Sequence, residues 1–212
     1  RVLQCGPGGE NRVRYAGITN ELKHWNGRNG LGAVMGSKNL RAIAVRGNNK
    51  VDMYNKDEVM DFARNFAKNV ADDPALSGKR DYGTAQGVNV LNEMGLLPTR
   101  NFTEGSVANA ENIGGEGMAD SMLVKNEGCY ACPVRCKRVV EYQDENMTID
   151  SEYGGPEYET IDSFGANCGI DDLKVVAKAN ELCGRYGIDT ISTGMSIAFA
   201  MECFEKGIIS TE

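Results

Sequence analysis

The chain holds 212 residues, 41% hydrophobic and 25% charged, which excludes a disordered polymer and fits a soluble globular fold. Lys+Arg 23 against Asp+Glu 30 leaves a formal charge of −7, which argues against a general nucleic-acid or anionic-membrane surface. No apolar run approaches the roughly 20 residues of a bilayer span.

In chain order, the first 47 residues read as short strands broken by glycine. VLQC from Val2, RVRYAGIT from Arg12 and LRAIAVRG from Leu40 carry β-branched and aromatic residues with turn chemistry between them. From about Tyr54 the period changes. Val59, Phe62, Ala63, Phe66 and Val70 recur at three- and four-residue spacing, which predicts an amphipathic helix starting near Asn55 and stopped by Pro74. Further helices are expected over 84–94, 116–126, 157–166, 171–186 and 191–206. Asp171 is placed to cap the fifth, and Gly187 and Gly207 sit in C-cap positions after the last two. The acidic stretch from Glu141 to Tyr153 reads as loop. The fold class is therefore mostly α, a β segment running into a helical domain with a boundary near 48–53. The chain opens without Met, shows no signal peptide, and closes on Ser210-Thr211-Glu212, which resembles the start of a further helix. It is expected to be a piece of a longer protein.

Seven cysteines, an odd number, cannot all pair within the chain. The strongest chemical signal among them is GCYACPVRCKR, where Cys129, Cys132 and Cys136 are spaced C-x2-C-x3-C. Thiolates at this spacing on a tight loop can converge on one centre, and a cubane iron–sulfur cluster suits such a run, with a fourth ligand from elsewhere. Arg135, Lys137 and Arg138 add positive charge beside it. Zinc is the main competitor, but the one histidine, His24, lies more than 100 residues away. Cys183 and Cys203 lie on expected helices and read as buried small apolar residues. None of the other cysteines stands out as the fourth ligand.

A second signal is NGRNGLGAVMGSKNLRAIAV over 26–45, part of an excess of 26 glycines. Gly27, Gly30, Gly32 and Gly36 let backbone N–H groups approach an anion, with Arg28 and Lys38 supplying charge. The spacing matches neither a P-loop nor a dinucleotide-binding turn. By physics alone, packed turns are as good a reading as phosphate binding.

GLGAVMGSKNLRAIAV, GCYACPVRC, GPEYETIDSFGANCGIDD and YGIDTISTG, in that order, resemble the aldehyde ferredoxin oxidoreductase family. The likeness runs from CGPGGEN at Cys5 to the helix ending at Lys206. It implies the C-terminal end of a β-rich cofactor-binding domain over 1–50 and a helical domain, incomplete at its C-terminus, over 51–212. It also implies a tungsten (or molybdenum) bis-pterin cofactor, a [4Fe–4S] cluster on Cys129, Cys132 and Cys136, and a magnesium bridging the pterin phosphates. Gly187, Ile188, Asp189 and Thr190 would meet a pterin. Trp25, through its carbonyl, Arg28, Gly30, Gly32 and Lys38 would lie near the phosphates. Glu159 matches a glutamate proposed as general acid/base, a role that suits a carboxyl raised in pKa by a buried pocket. The chain departs from the family pattern at Gly184, where an aspartate is usual, and at His24-Trp25-Asn26, which replace Arg-Ala-Ala.

The implied activity interconverts aldehydes and carboxylic acids, with electrons passing to ferredoxin or a partner iron–sulfur subunit, in a cytoplasmic oligomer. An ATP-independent benzoyl-CoA reductase of the same family is the nearest alternative. From other classes, a non-catalytic iron–sulfur carrier and a zinc-stabilised interaction domain remain open at this stage.

Overall fold

Residues 2–44 build a four-stranded antiparallel sheet from β1 (Val2–Cys5), β2 (Ile18–Asn20), β3 (His24–Asn26) and β4 (Ala42–Ala44), in the order β3-β2-β1-β4. Leu3 stands opposite both Asn20 and Ile43, so β1 is central. Two short helices, α1 (Pro7–Glu10) and α2 (Leu31–Ser37), pack on each other through glycines. The computed structural model describes residues 1–70 and 72–210, so the helix start expected at Ser210-Thr211-Glu212 falls largely outside the described residues.

RVRYAGIT is strand only at its end. Arg12 turns with φ 58°, and Tyr15–Gly17 spend their backbone groups on a distant segment rather than on the sheet. The glycine-rich stretch, read above as turns, folds instead as the 3₁₀ turn Arg28–Gly30 followed by α2.

The helical part opens with α3 (Lys56–Asn69), capped by the Asn55 side chain, which accepts from the Glu58 amide at 3.2 Å. Its Phe62 and Phe66 rings stack at 6.5 Å on an exposed face. Pro74 does more than stop this helix: it opens α4 (Pro74–Tyr82), where its missing N–H costs nothing and Asp73 caps the Ala75 amide at 2.8 Å. The 3₁₀ turn Gly83–Gln86 leads into α5 (Gly87–Glu93). The helix expected over 116–126 is divided. α6 (Gly115–Ser121) ends, and β5 (Leu123–Glu127) pairs with β6 (Lys137–Val140) in an antiparallel hairpin. β7 (Tyr142–Gln143) and β8 (Thr148–Ile149) form a second hairpin inside the expected loop.

α7 (Tyr158–Phe164), α8 (Leu173–Tyr186) and α9 (Thr190–Glu205) follow. Asp172, not Asp171, caps α8 by accepting from the Lys174 amide at 2.9 Å, while Asp171 accepts from Asn109. Gly187 at φ 73° and Gly207 at φ 69° are the expected left-handed stops. Val88, Leu97, Ile113, Met118, Ile149, Ile161 and Val176 make the buried core, each large side chain contributing about 1.5–3 kcal/mol. Cys183 is buried with them, and Cys203 is only half-buried. Glu181 is buried too, but Lys178, Arg185 and the Asp150 amide all donate to it. Burial works to raise its pKa and these bonds outweigh it, so the carboxyl lies below its usual value. No described helix is long and apolar enough to cross a membrane.

Sheet and helices are joined by main chain. Gly17 N donates to Gly187 O and Asp189 N to Tyr15 O, both at 3.0 Å, around an Ala16–Ile188 bridge. A Cβ on Gly187 would stand 2.6 Å from Gly6 N. Gly187→Ala should therefore cost left-handed strain of about 1–2 kcal/mol plus overpacking of about 1–3 kcal/mol. Gly207→Ala has nothing within 4 Å and should cost the strain alone. Thermal unfolding of the two variants checks this, and equal losses would exclude the close approach as a constraint.

Candidate functional site

A cavity of about 270 Å³ opens at this joint. Trp25 and Gly27 line it from the sheet, Ile188, Asp189 and Thr190 from the turn into α9, and Glu159 and Thr160 from the first turn of α7. Gly154 and Gly155 expose backbone to it, and Lys137 and Arg138 reach it from the start of β6. Five residues singled out from three separated motifs (Trp25, Glu159, Ile188, Asp189 and Thr190) thus share one hollow or its rim.

Asp189 is 6% exposed and organises the rim. It caps α9, its Oδ2 accepting from the Ser192 amide at 2.9 Å and from Ser192 Oγ at 2.6 Å. Arg28 Nη1 stands 3.8 Å from the same oxygen. Among the described residues Oδ1 takes no hydrogen bond and lies toward Gly27, whose missing Cβ leaves the approach open. Thr160 and Thr190 share a hydroxyl bond at 2.8 Å, tying α7 to α9 beside it.

Not every candidate joins them. A Cβ on Gly30 or Gly32 would collide with the Arg14 or Gly17 carbonyl, so these two glycines face packed backbone. Lys38 caps the exposed end of α2. At Gly184 a Cβ would stand 2.8 Å from Tyr153 Cδ1, so the Tyr153 ring holds the space of a longer side chain there. Arg185 in turn lies 4.9 Å over that ring.

The cysteine loop hangs on the same wall. It joins β5 to β6 and turns through left-handed Ala131 and Arg135, with Cys132 N donating to Cys129 O at 3.0 Å. All three thiols are free, Cys129 exposed and Cys132 and Cys136 half-buried. Among the described residues no three Cys, His, Asp or Glu side chains gather closely enough to hold a metal by themselves. Three cysteines in one short loop are the donor chemistry of a thiolate-ligated group, which would need at least one further ligand. Both strand ends at its base are anchored. Glu127 accepts from Lys23 at 3.0 Å, and Lys137 donates to Glu157 at 3.2 Å. Thr84 Oγ1 donates to the other Glu157 oxygen at 2.6 Å.

Glu159 is exposed at the rim, contrary to the burial expected of it. The buried carboxyl of α7 is Asp162, one turn later, 3% exposed and with Oδ1 unpartnered. Burial, and then the neighbouring Glu159 charge, push its pKa up to about 7. Burial and Asp162 likewise raise Cys168 to about 11, and burial with Asp162 and Glu159 raises Tyr158 to about 12. The sequence offered no signal for Asp162 beyond its i+3 spacing from Glu159.

The raised carboxyl makes stability pH-dependent. Its contribution is fully present below the ordinary value of 3.8 and is lost as pH rises through about 7. Asp162→Asn should therefore raise Tm at pH 8 by several degrees, about 2–4 °C per kcal/mol recovered, and leave it nearly unchanged at pH 4. Parallel shifts at both pH values would refute the assignment.

Comparison with known proteins places this arrangement. The profile described as "Aldehyde ferredoxin oxidoreductase, domains 2 & 3" matches residues 61–212, and that of the N-terminal domain matches residues 1–47. The "Tungsten-containing aldehyde ferredoxin oxidoreductase" of Pyrococcus horikoshii is 45% identical over 213 residues, covering 100% of this chain and 34% of the relative. The "Aliphatic sulfonate oxidoreductase, WOR-like subunit" of Pyrococcus furiosus is 32% identical over 220 residues, with the same coverage. The chain thus spans about a third of the length of the curated relatives it matches. Among solved structures, a chain of the active-site complex BamBC of benzoyl coenzyme A reductase with 1,5-dienoyl-CoA superposes with a TM-score of 0.72. It is 24% identical, over 99% of this chain and 33% of that one, and bears on the fold alone. Two profiles in register along the sequence, with the cavity lying where their matched segments meet, carry one conclusion: the chain belongs to the aldehyde ferredoxin oxidoreductase family.

Proposed function

We propose that the chain is the portion of a tungsten (or molybdenum) bis-pterin oxidoreductase that forms one wall of its active site. The reaction interconverts an aldehyde and a carboxylic acid: aldehyde plus water gives acid, two protons and two electrons. The observation that supports this is the convergence of Trp25, Ile188, Asp189, Thr190 and Glu159 on a cavity whose wall continues into the base of the cysteine hairpin. At about 270 Å³ the cavity falls just below the ~300–1,000 Å³ typical of small-molecule sites, the size of part of a larger site.

When bound, the pterin-held metal would supply the two-electron redox centre and a [4Fe–4S] cluster the one-electron route to ferredoxin or an iron–sulfur partner subunit. The residues have narrower tasks. Asp189 Oδ1 accepts a ring N–H at the rim, where the α9 cap already fixes the carboxylate. Arg28, 58% exposed, stands beside it and would pair with a cofactor phosphate. The Trp25 carbonyl is a backbone ligand of the same region. Cys129, Cys132 and Cys136, on the loop between β5 and β6, would supply thiolate ligands to the cluster. Glu159, with no hydrogen-bond or ion-pair partner among the described residues, would accept a proton from the attacking water or return one to the acid. The same reading places the enzyme in the cytoplasm as an oligomer.

Glu159→Gln in the full-length enzyme should retain tungsten or molybdenum and lose about 10²–10⁴ in kcat. Unchanged turnover would remove Glu159 from the mechanism. Absence of both metals from anaerobically purified protein would overturn the reading as a whole.

A further inference from the structure

Among the charged side chains near the cavity, Arg138 is the anomaly. Its residue is 5% exposed, buried beneath the cysteine loop where β6 begins. Nη1 donates to Asp81 O at 2.7 Å, and Nη2 to Arg80 O and Arg135 O, both at 2.9 Å. Every acceptor is a neutral carbonyl. Nε has no partner and faces Gly83. No carboxylate among the described residues forms an ion pair with it. The carboxylates whose charge reaches it, Glu157 and Asp81, are each bonded elsewhere, Glu157 by Lys137 and Thr84 and Asp81 by Arg80. The molecule therefore keeps a full positive charge out of water without an ion-pair partner among the described residues, an arrangement whose cost falls when an anion is placed in contact with it. By contrast the buried Glu181 on α8 is answered by two cations.

What lies next to Arg138 is the loop. Cys136 is two residues away, and Arg135 O, one of the three acceptors, belongs to the loop itself. Arg135 points outward to Asn126 O and Lys137 is spent on Glu157, so Arg138 is a buried cation on this side with no ion-pair partner among the described residues. We propose that Arg138 is the built-in counter-charge of the group that Cys129, Cys132 and Cys136 hold, and that its charge sets the reduction potential of that group. The inference rests on the iron–sulfur reading above. A fixed cation in a low-dielectric site favours the more negative, reduced state, so it raises the potential.

The test is a redox titration of the full-length protein, purified anaerobically and followed by electron paramagnetic resonance. Arg138→Gln keeps amide donors for the α4 carbonyls and removes the charge. It should shift the reduction equilibrium at least tenfold toward the oxidised state, which is 59 mV lower for a one-electron couple. Arg138→Lys keeps the charge with fewer donors and should restore most of the wild-type potential. A cluster at wild-type potential in Arg138→Gln overturns the proposal, as does an equal shift in both variants, which would assign the effect to hydrogen bonding. Should Arg138→Gln lose its iron, Glu157→Gln reads the same field from the anionic side. It should raise the potential, and no change overturns the proposal. Wild-type protein without iron and sulfide would instead refute the cluster reading, a result separable from the others.

Discussion

Two main-chain hydrogen bonds between Tyr15–Gly17 and Gly187–Asp189, forming one antiparallel bridge, hold the functional geometry together. Backbone can meet backbone there because neither Gly6 nor Gly187 carries a Cβ. The consequences spread outward. Asp189 is delivered to the sheet with its carboxylate already fixed by Ser192, and Trp25 and Gly27 come to face it. α9, whose other contacts run mainly along Gly194 against Ser163 of α7, takes its direction from this end. A cavity between a small sheet and a helical bundle needs such a joint, since side-chain packing alone would leave the two layers free to slide.

Charge is handled in three different ways in the interior. Glu181 is compensated completely, and its bonds to Lys178, Arg185 and the Asp150 amide fix α8 against the turn that carries Tyr153. Asp162 avoids the cost of a buried anion by holding its proton near neutrality. Arg138 has neither remedy, since a guanidinium keeps its charge at any physiological pH. Burial lowers its pKa, with Cys136, Glu157 and Asp81 opposing the shift. The first arrangement is structural, while the other two lie within a turn or a strand of the cavity. Uncompensated charge is concentrated where chemistry is proposed.

The elements legible in the sequence were those with local signals. Asn55, Gly187 and Gly207 marked helix ends correctly because capping depends on a few neighbouring residues. The β5–β6 hairpin was not legible. Val124, Lys125 and Asn126 continue an apparent helical pattern, and only pairing with residues 137–140, across the cysteine loop, makes them strand. Gly30 and Gly32 looked cofactor-facing because a glycine signals close approach without naming the approaching atom, here the carbonyls of Arg14 and Gly17. Glu159 was singled out through its motif and lies exposed at the rim. Burial belonged to Asp162, and which carboxyl of one helix turns inward is a matter of packing against α9 and the turn at Ala166–Cys168. The resemblance brought together residues far apart in the chain, which no spacing rule would have joined.

The hairpin that carries the cysteines also supplies Glu127 and Lys137 to the cavity wall, each tied to a different part of the fold. The length of the loop is thereby coupled to the shape of the cavity. Adding or deleting one residue between Glu127 and Lys137 would either strain the loop or slip the strand register, and a one-residue slip turns every side chain of β6 to the opposite face. Lys137 would leave Glu157 and Arg138 would leave the α4 carbonyls together. Evolution can exchange residues within this loop far more freely than it can change their number. Variation at the loop is therefore expected by substitution, with insertions falling in segments such as 46–54, which lie outside the described strands and helices.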